Sequence, residues 1–279
     1  MRAVTAASAP LGAVAAWPVE VAAVGVTSAD GPLAGTGPLD EPLALASVSK
    51  LLTAMAVLVA VEEEALGLDD PAGPEGSTVA HLLAHASGLG FEGPRITIPG
   101  RKRIYSNAGF DVLGDVLVAR SGIPFETYVT EAVLQPLGMT GTRFSGHPGW
   151  GATGTAADLL ALGRDLLGPE SRVLSRAMRD RATTVAFPGL DGVLPGFGRQ
   201  RPNDWGLGFE LRDAKSPHWT GATNSTATFG HFGRSGTFLW VDPVAGLACA
   251  CVTNRDFGPW AAEAWPVLSD AVVAGFSSR

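Results

Sequence analysis

"LASVSKLLTAMAVLVAVEEE", residues 45–64, decides how this chain folds. Apolar side chains run almost unbroken from Val48 to about Leu66, too far for a strand and not far enough for a membrane span, so the segment reads as a buried helix starting near Ser49. Its first turn carries Lys50. The N-terminus of a helix bears about half a positive charge and favours anions, and a capping serine is ordinarily followed three residues later by Glu or Gln. Here Ser47 is followed three residues later by Lys50, an arrangement that costs roughly 0.3–1 kcal/mol and asks for chemistry in return.

Outward from this helix the pattern changes period. Upstream, "VEVAAVGVT" (residues 19–27) is short and rich in valine, and "SADGPLAG" supplies turn residues before a second short strand, so a hairpin is expected. Downstream, residues 77–208 mix helical stretches ("TVAHLLAHA", "AGFDVLGDVLVARSG", "PFETYVTEAVLQPLG", "AADLLALGRDLLG", "SRAMRDRA") with Gly/Pro loops. Near the end, "GTFLWVDPVAGLACACVTNR" reads as two strands around a turn, and "PWAAEAWPVLSDAVVAGF" as a closing helix. Strands at both termini with helices between imply an α/β (α+β) fold whose antiparallel sheet is built from both ends of the chain. The expected organisation is one catalytic domain over residues 1–279, with a sheet part (1–70 and 210–279), a mostly helical insertion (71–209), and a cleft between them.

Composition bounds the function. A chain of 279 residues, 46% hydrophobic and 17% charged, can bury a substantial core. Its net charge of −7 argues against nucleic acid or an anionic membrane as partner. The alanine-rich start is interrupted by Pro10 and Pro18 and offers no apolar core of signal-peptide length, so a cytoplasmic location is expected. Cys249 and Cys251 alternate on one face of a strand and read as reduced core residues. Trp240, Trp260 and Trp265 read as packing between helix and sheet.

If Ser47 opens the helix and Lys50 lies one turn on, both project to the same side. The dipole and apolar surroundings then lower the lysine pKa, and a neutral lysine can take the serine proton to make an acyl-transfer nucleophile. One S-x-x-K is weak support, because about one is expected by chance in a chain of this length. Two further stretches add weight. "YSNAG" holds Tyr105, a possible proton relay, and Asn107, able to hold Lys50 or a substrate carbonyl, although Tyr-Ser-Asn also suits a helix cap. "GHFGRSG" holds His231 and Gly233, although a glycine-rich strand or bulge explains it too.

Together, Ser47-Val48-Ser49-Lys50, Tyr105-Ser106-Asn107 and His231-Phe232-Gly233, in that order, resemble the serine β-lactamase/penicillin-binding-protein-like family, in its class C β-lactamase, D-alanyl-D-alanine carboxypeptidase and esterase branch. "LLAHASGL", "PLGMTGT" and "TGTAADLLALG" are similar to that family's connecting segments, and the resemblance covers nearly the whole chain. It implies a β-lactamase/transpeptidase-like fold, Ser47 as acyl-enzyme nucleophile, Lys50 as proton acceptor, Tyr105 as acid/base partner and Asn107 as positioning residue. It also implies oxyanion donors at the Ser47 N–H and at the Arg234 N–H just after Gly233. Phe232 stands where relatives carry a threonine, which removes a hydroxyl able to touch a substrate carboxylate. A second His-x-Gly, His147-Pro148-Gly149, is set aside because it precedes an expected helix.

The expectation is a serine hydrolase of a small-molecule ester, amide or β-lactam, esterase-like, with no cofactor and no metal. A β-lactamase or a carboxypeptidase is the alternative within the family. A non-catalytic binding protein and a metal hydrolase are the readings outside it. "HLLAH" spaces His81 and His85 as metal ligands are spaced, but lacks the glutamate of a zinc hydrolase, so both read as structural, with His85 placed to favour a charge near its helix C-terminus.

Overall fold

Segments from both ends of the sequence are joined in one sheet. The computed structural model describes residues 6–277. Six strands, β1 (Ala22–Thr27), β2 (Pro32–Thr36), β3 (Glu210–Leu211), β4 (Phe229–Gly233), β5 (Thr237–Asp242) and β6 (Leu247–Thr253), form an antiparallel sheet in the order β2-β1-β6-β5-β4-β3. β1 lies against β6 with Val24 opposite Cys251, so the expected joining of the two ends is realised in register.

The pleat sorts side chains between two cores. On one face Val24, Val26, Phe238, Trp240, Cys249 and Cys251 pack with Trp265, Leu268 and Val272 of the closing helix. Both cysteines are free and buried there, and the Trp240 indole N–H donates to Ser269 Oγ at 3.1 Å. On the other face Ala23, Leu239, Val241, Ala248 and Ala250 meet the helical layer.

Among the described residues the four longest α-helices are α1 (Ser49–Glu62), α2 (Ala108–Ser121), α3 (Ala156–Leu167) and α4 (Pro259–Phe276). Helix α1 is buried from Ser49 through Ala60, which is why its sequence is apolar all round. It stops at Glu62, short of the expected Leu66. Glu63 caps it and Glu64 turns left-handed at φ 59°. Three successive glutamates meet the negative end of the helix dipole, so continuing the helix is unfavourable. The region 71–209 is less separate than its composition suggests. Helix α2 packs on α1, but α3 lies directly on β1, β5 and β6. Gly25 makes this approach possible, since a Cβ there would stand 2.4 Å from Leu160 Cδ1. The expected boundaries at 71 and 209 therefore divide the sequence rather than the layers.

Candidate active site

Ser47 sits in a single 3₁₀ turn, Ala46–Val48, that runs straight into α1. Ala46 before it is left-handed at φ 46°, a conformation that costs a non-glycine residue about 1–3 kcal/mol. No side chain caps α1 and its first turn has no acid, so the dipole is left to the groups at Ser47.

Lys50 is fully buried. Its ammonium nitrogen donates to Asn107 Oδ1 at 2.6 Å and to the Gly149 carbonyl at 2.8 Å. It also lies over the Tyr105 and Phe110 rings, 4.9 and 5.3 Å from their centroids. Burial brings its pKa down to about 7, against the opposing pull of Asp111 and Glu92. A neutral amine has two N–H groups and one lone pair. The two N–H groups are matched by the two acceptors, and the lone pair is left over.

Asn107 is fixed from its other end by donating Nδ2–H to Glu92 Oε1 at 2.9 Å. The "YSN" stretch divides its contacts between a helix cap and Lys50. The capping work falls to Ser106, whose Oγ accepts the Gly109 N–H at 3.0 Å and donates to the Gly90 carbonyl at 2.6 Å. That leaves Tyr105 and Asn107 for the site. Burial pushes the Tyr105 phenol well above its ordinary pKa, while a side-chain hydrogen bond with Ser47 pulls the other way.

Gly233 closes the turn from the sheet side. A Cβ there would stand 2.5 Å from the Leu45 carbonyl oxygen and 3.2 Å from the Ser47 nitrogen, so only glycine lets β4 approach the Ser47 backbone. Arg234 follows with an exposed side chain, its Nε 3.5 Å from an Asp256 carboxylate. His231 lies opposite Leu239 and faces the helical layer, whereas Phe232, opposite Phe238, faces the other core. The sheet's alternation thus puts the phenylalanine on the face away from His231, although Phe232 also lines the cavity. His231 is buried, its ring hydrogen-bonded through Nδ1 to the Phe232 carbonyl at 2.6 Å, and burial with Lys50 nearby lowers its pKa to about 3.

A cavity of about 890 Å³ opens beside Ser47, with Tyr105, His231 and Arg234 in its wall. Lys50 and Asn107 stand behind that wall. All seven sequence-chosen residues, Ser47, Lys50, Tyr105, Asn107, His231, Gly233 and Arg234, thus converge on one place.

Three contributors were not foreseen. The first is the Gly149 carbonyl that holds Lys50. It belongs to the His-Pro-Gly stretch set aside above, which runs through a turn into a short strand (Ala152–Gly154) rather than into a helix. His147 itself is on the surface, stacked on Trp150 at 4.3 Å. The second is His85. It follows the C-cap Ala84 of a short helix, Val79–Leu83, and is left-handed at φ 54°, where glycine is the usual choice. Its carbonyl accepts the Ile104 N–H at 2.9 Å, its Nδ1 accepts the Ser106 N–H at 3.2 Å, and its ring packs 4.6 Å from the Tyr105 ring. His85 therefore grips the chain on both sides of Tyr105. Its pKa is pushed well below the ordinary range by burial and by Lys50, His231 and Arg103, so it is a neutral buried ring and the helix dipole has no charge there to favour. His81 is elsewhere, bonded to Thr78 Oγ1 at 2.9 Å and stacked on Phe187, so the two histidines do not converge on a metal position. The third is a buried cluster under the cavity, where the Glu210 carboxylate accepts from Lys215, from His218 Nε2 at 2.9 Å and from the Trp219 indole at 2.9 Å.

Comparison with known proteins gives the family of the chain. The family model described as Beta-lactamase matches residues 16–273. The chain belongs to the Beta-lactamase family. Among solved structures, a β-lactamase from Mycobacterium bovis is 55% identical, superposes with a TM-score of 0.94, and is matched over 96% of this chain and 100% of its own. The fold is also that of EstCE1, a hydrolase with promiscuous acyltransferase activity (19% identity, TM-score 0.77, 96% of this chain and 97% of that one). Among curated proteins, the D-alanyl-D-alanine-carboxypeptidase/endopeptidase AmpH of Escherichia coli is 26% identical over 148 residues, 39% of this chain and 38% of that protein. A putative D-alanyl-D-alanine carboxypeptidase of Salmonella heidelberg is 27% identical over 203 residues, 58% of this chain. The match spans less than half the length of either curated relative. This Beta-lactamase-family chain thus shares a mixed α/β architecture with hydrolases of differing substrates.

Proposed function

We propose that this protein is a serine hydrolase that acts through an acyl-Ser47 intermediate on a small ester or amide, with ester the better substrate. The observation that carries the reading is the Lys50 nitrogen, buried and held by exactly as many acceptors as a neutral amine has N–H groups. Its lone pair takes the Ser47 proton as the serine oxygen attacks the substrate carbonyl. The oxyanion formed is met by the backbone N–H groups of Ser47 and Arg234, an electrostatic contribution usually worth about 10²–10³ in rate per donor. As the tetrahedral adduct collapses, the leaving group takes a proton from the Tyr105 phenol, which recovers one from Lys50. Water then attacks the acyl-serine with the same groups acting in reverse and frees Ser47.

Intact-protein mass spectrometry after exposure to a fluorophosphonate tests this directly. One adduct should form on the wild type and none on Ser47→Ala, with thermal melts alike. Labelling retained in Ser47→Ala would remove Ser47 as nucleophile. Absence of labelling and of ester turnover in the wild type would make the protein a binding member of the fold.

A further inference from the structure

The buried charged groups of the cavity wall are already committed, and the other cations lie at its exposed rim. Arg103 gives its guanidinium to the carbonyls of Asn203, Ala84, Ala186 and Phe187. Glu210 is neutralised by Lys215, Arg199 lies 3.4 Å from Asp191, and Arg234 lies 3.5 Å from Asp256. Lys102 remains, at the exposed rim. His231 presents a ring rather than a cation. Lys102, Arg199 and Arg234 keep their charges at the exposed rim, so a substrate carboxylate drawn to the inner wall would lose its water without gaining a positive partner there, a costly transfer.

The rest of the wall is apolar. Phe91, Ile96, Ile104, Val193, Leu194 and Phe257 line it. Three of these extend the apolar surface out to solvent, since Phe91 is 53%, Ile96 68% and Val193 58% exposed. Single exposed apolar residues are ordinary, but three converging on the mouth of one cavity next to a nucleophile form a continuous path for an apolar chain. The cavity, about 890 Å³, lies near the top of the range for drug-sized ligands, far more than an acetyl group fills.

We infer that the substrate is an uncharged ester carrying a long or bulky apolar group, which lies along the path from Ser47 past Leu194 and Phe257 to the rim at Phe91, Ile96 and Val193. This rests on the acyl-Ser47 reading and adds the substrate class to it. The chemistry needs no co-reactant other than water. The ester bond breaks, an acid and an alcohol leave, and Ser47 regains its proton.

Two ester series separate the side of the scissile bond. One varies the acyl chain from p-nitrophenyl acetate to octanoate, and the other varies the alcohol from methyl to octyl acetate, all below their micelle concentrations. Burying a methylene is worth about 0.8 kcal/mol, so kcat/KM should rise by up to about fourfold per carbon in one series until the cavity is filled. In Val193→Asp and Ile96→Asp, both exposed positions that tolerate charge, the octyl-to-short ratio should fall at least tenfold. Flat or falling kcat/KM in both series, with Ser47 still labelled by the fluorophosphonate, overturns the substrate class and leaves the acyl-serine reading standing. So does a cephalosporin or a D-alanyl-D-alanine peptide with kcat/KM above that of every ester. Failure of the fluorophosphonate to label Ser47 removes the acyl-serine reading itself.

Discussion

Replacing Lys50 by arginine or by methionine separates a neutral base from a fixed charge. Burial lowers the Lys50 pKa from 10.5 to about 7, so half the molecules carry the free amine near neutrality. Acylation by the wild type should therefore rise with pH through an inflection near 7 and level off above about 8. An arginine keeps a charge but stays protonated above pH 12 or so, and cannot offer a lone pair. Lys50→Arg should lose the inflection and acylate on the order of 10²-fold more slowly or worse.

The same shift makes a thermodynamic prediction with a definite sign. Below pH 7 the ammonium is carried in both folded and unfolded chains, and its burial weighs fully against folding. Between about 7 and 10.5 the folded protein has released the proton while the unfolded chain still binds it, so stability rises with pH in that window. From pH 7 to 9 this group should add roughly 2–3 kcal/mol to the wild type, at 1.36 kcal/mol per pH unit. Lys50→Met, which has no proton to exchange, should lack this increment. Single-turnover acylation against pH, with urea titrations of wild type and Lys50→Met at pH 7 and 9, tests both. An arginine variant that acylates at the wild-type rate, or equal pH slopes of stability in wild type and Lys50→Met, would refute the neutral-base argument.

His85→Phe keeps an aromatic ring against Tyr105 but leaves the Ser106 N–H without its acceptor, so kcat should fall at least tenfold beyond any loss of folded protein, whereas His81→Ala should change only the thermal midpoint; equal kcat per folded molecule in His85→Phe would return His85 to a purely structural role. Gly233→Ala drives a methyl into the Leu45 carbonyl and toward the Ser47 nitrogen, and should cost about 10²–10³ in kcat, the scale of a lost oxyanion donor; wild-type kcat in that variant, measured with the same activated ester, would dissociate Gly233 from the site.

What could be read from the sequence was what has a period or a spacing. A buried helix is apolar all round, and α1 announced itself and set Ser47 and Lys50 one turn apart. The closing strands alternate, so the shared face of Cys249 and Cys251 was legible. What escaped was carried by backbone atoms or by conformations. A carbonyl such as that of Gly149 has no residue signature, since every residue has one. The left-handed turns at Ala46 and His85 depend on where a helix ends, and that is set by tertiary packing to within a residue or two. The alternation rule would have separated His231 from Phe232, but only once β4 was known to keep register with β5 there.

His85 shows how such a site could be found in reverse. A glycine at the residue after a helix C-cap would adopt φ 54° freely, while a histidine there costs about 1–2 kcal/mol. Its ring is also buried with Nε2 unpartnered. Two unfavourable choices at one position mean that the surroundings gain from that side chain something glycine cannot give. Here the gain is an acceptor and a flat surface on either side of Tyr105. The same reasoning applies to Lys50, placed against the helix dipole and buried without an acid touching it. In both cases the residue that looks wrong for its local structure is one that bonds or packs at the candidate site, where local preference and site geometry ask for different side chains.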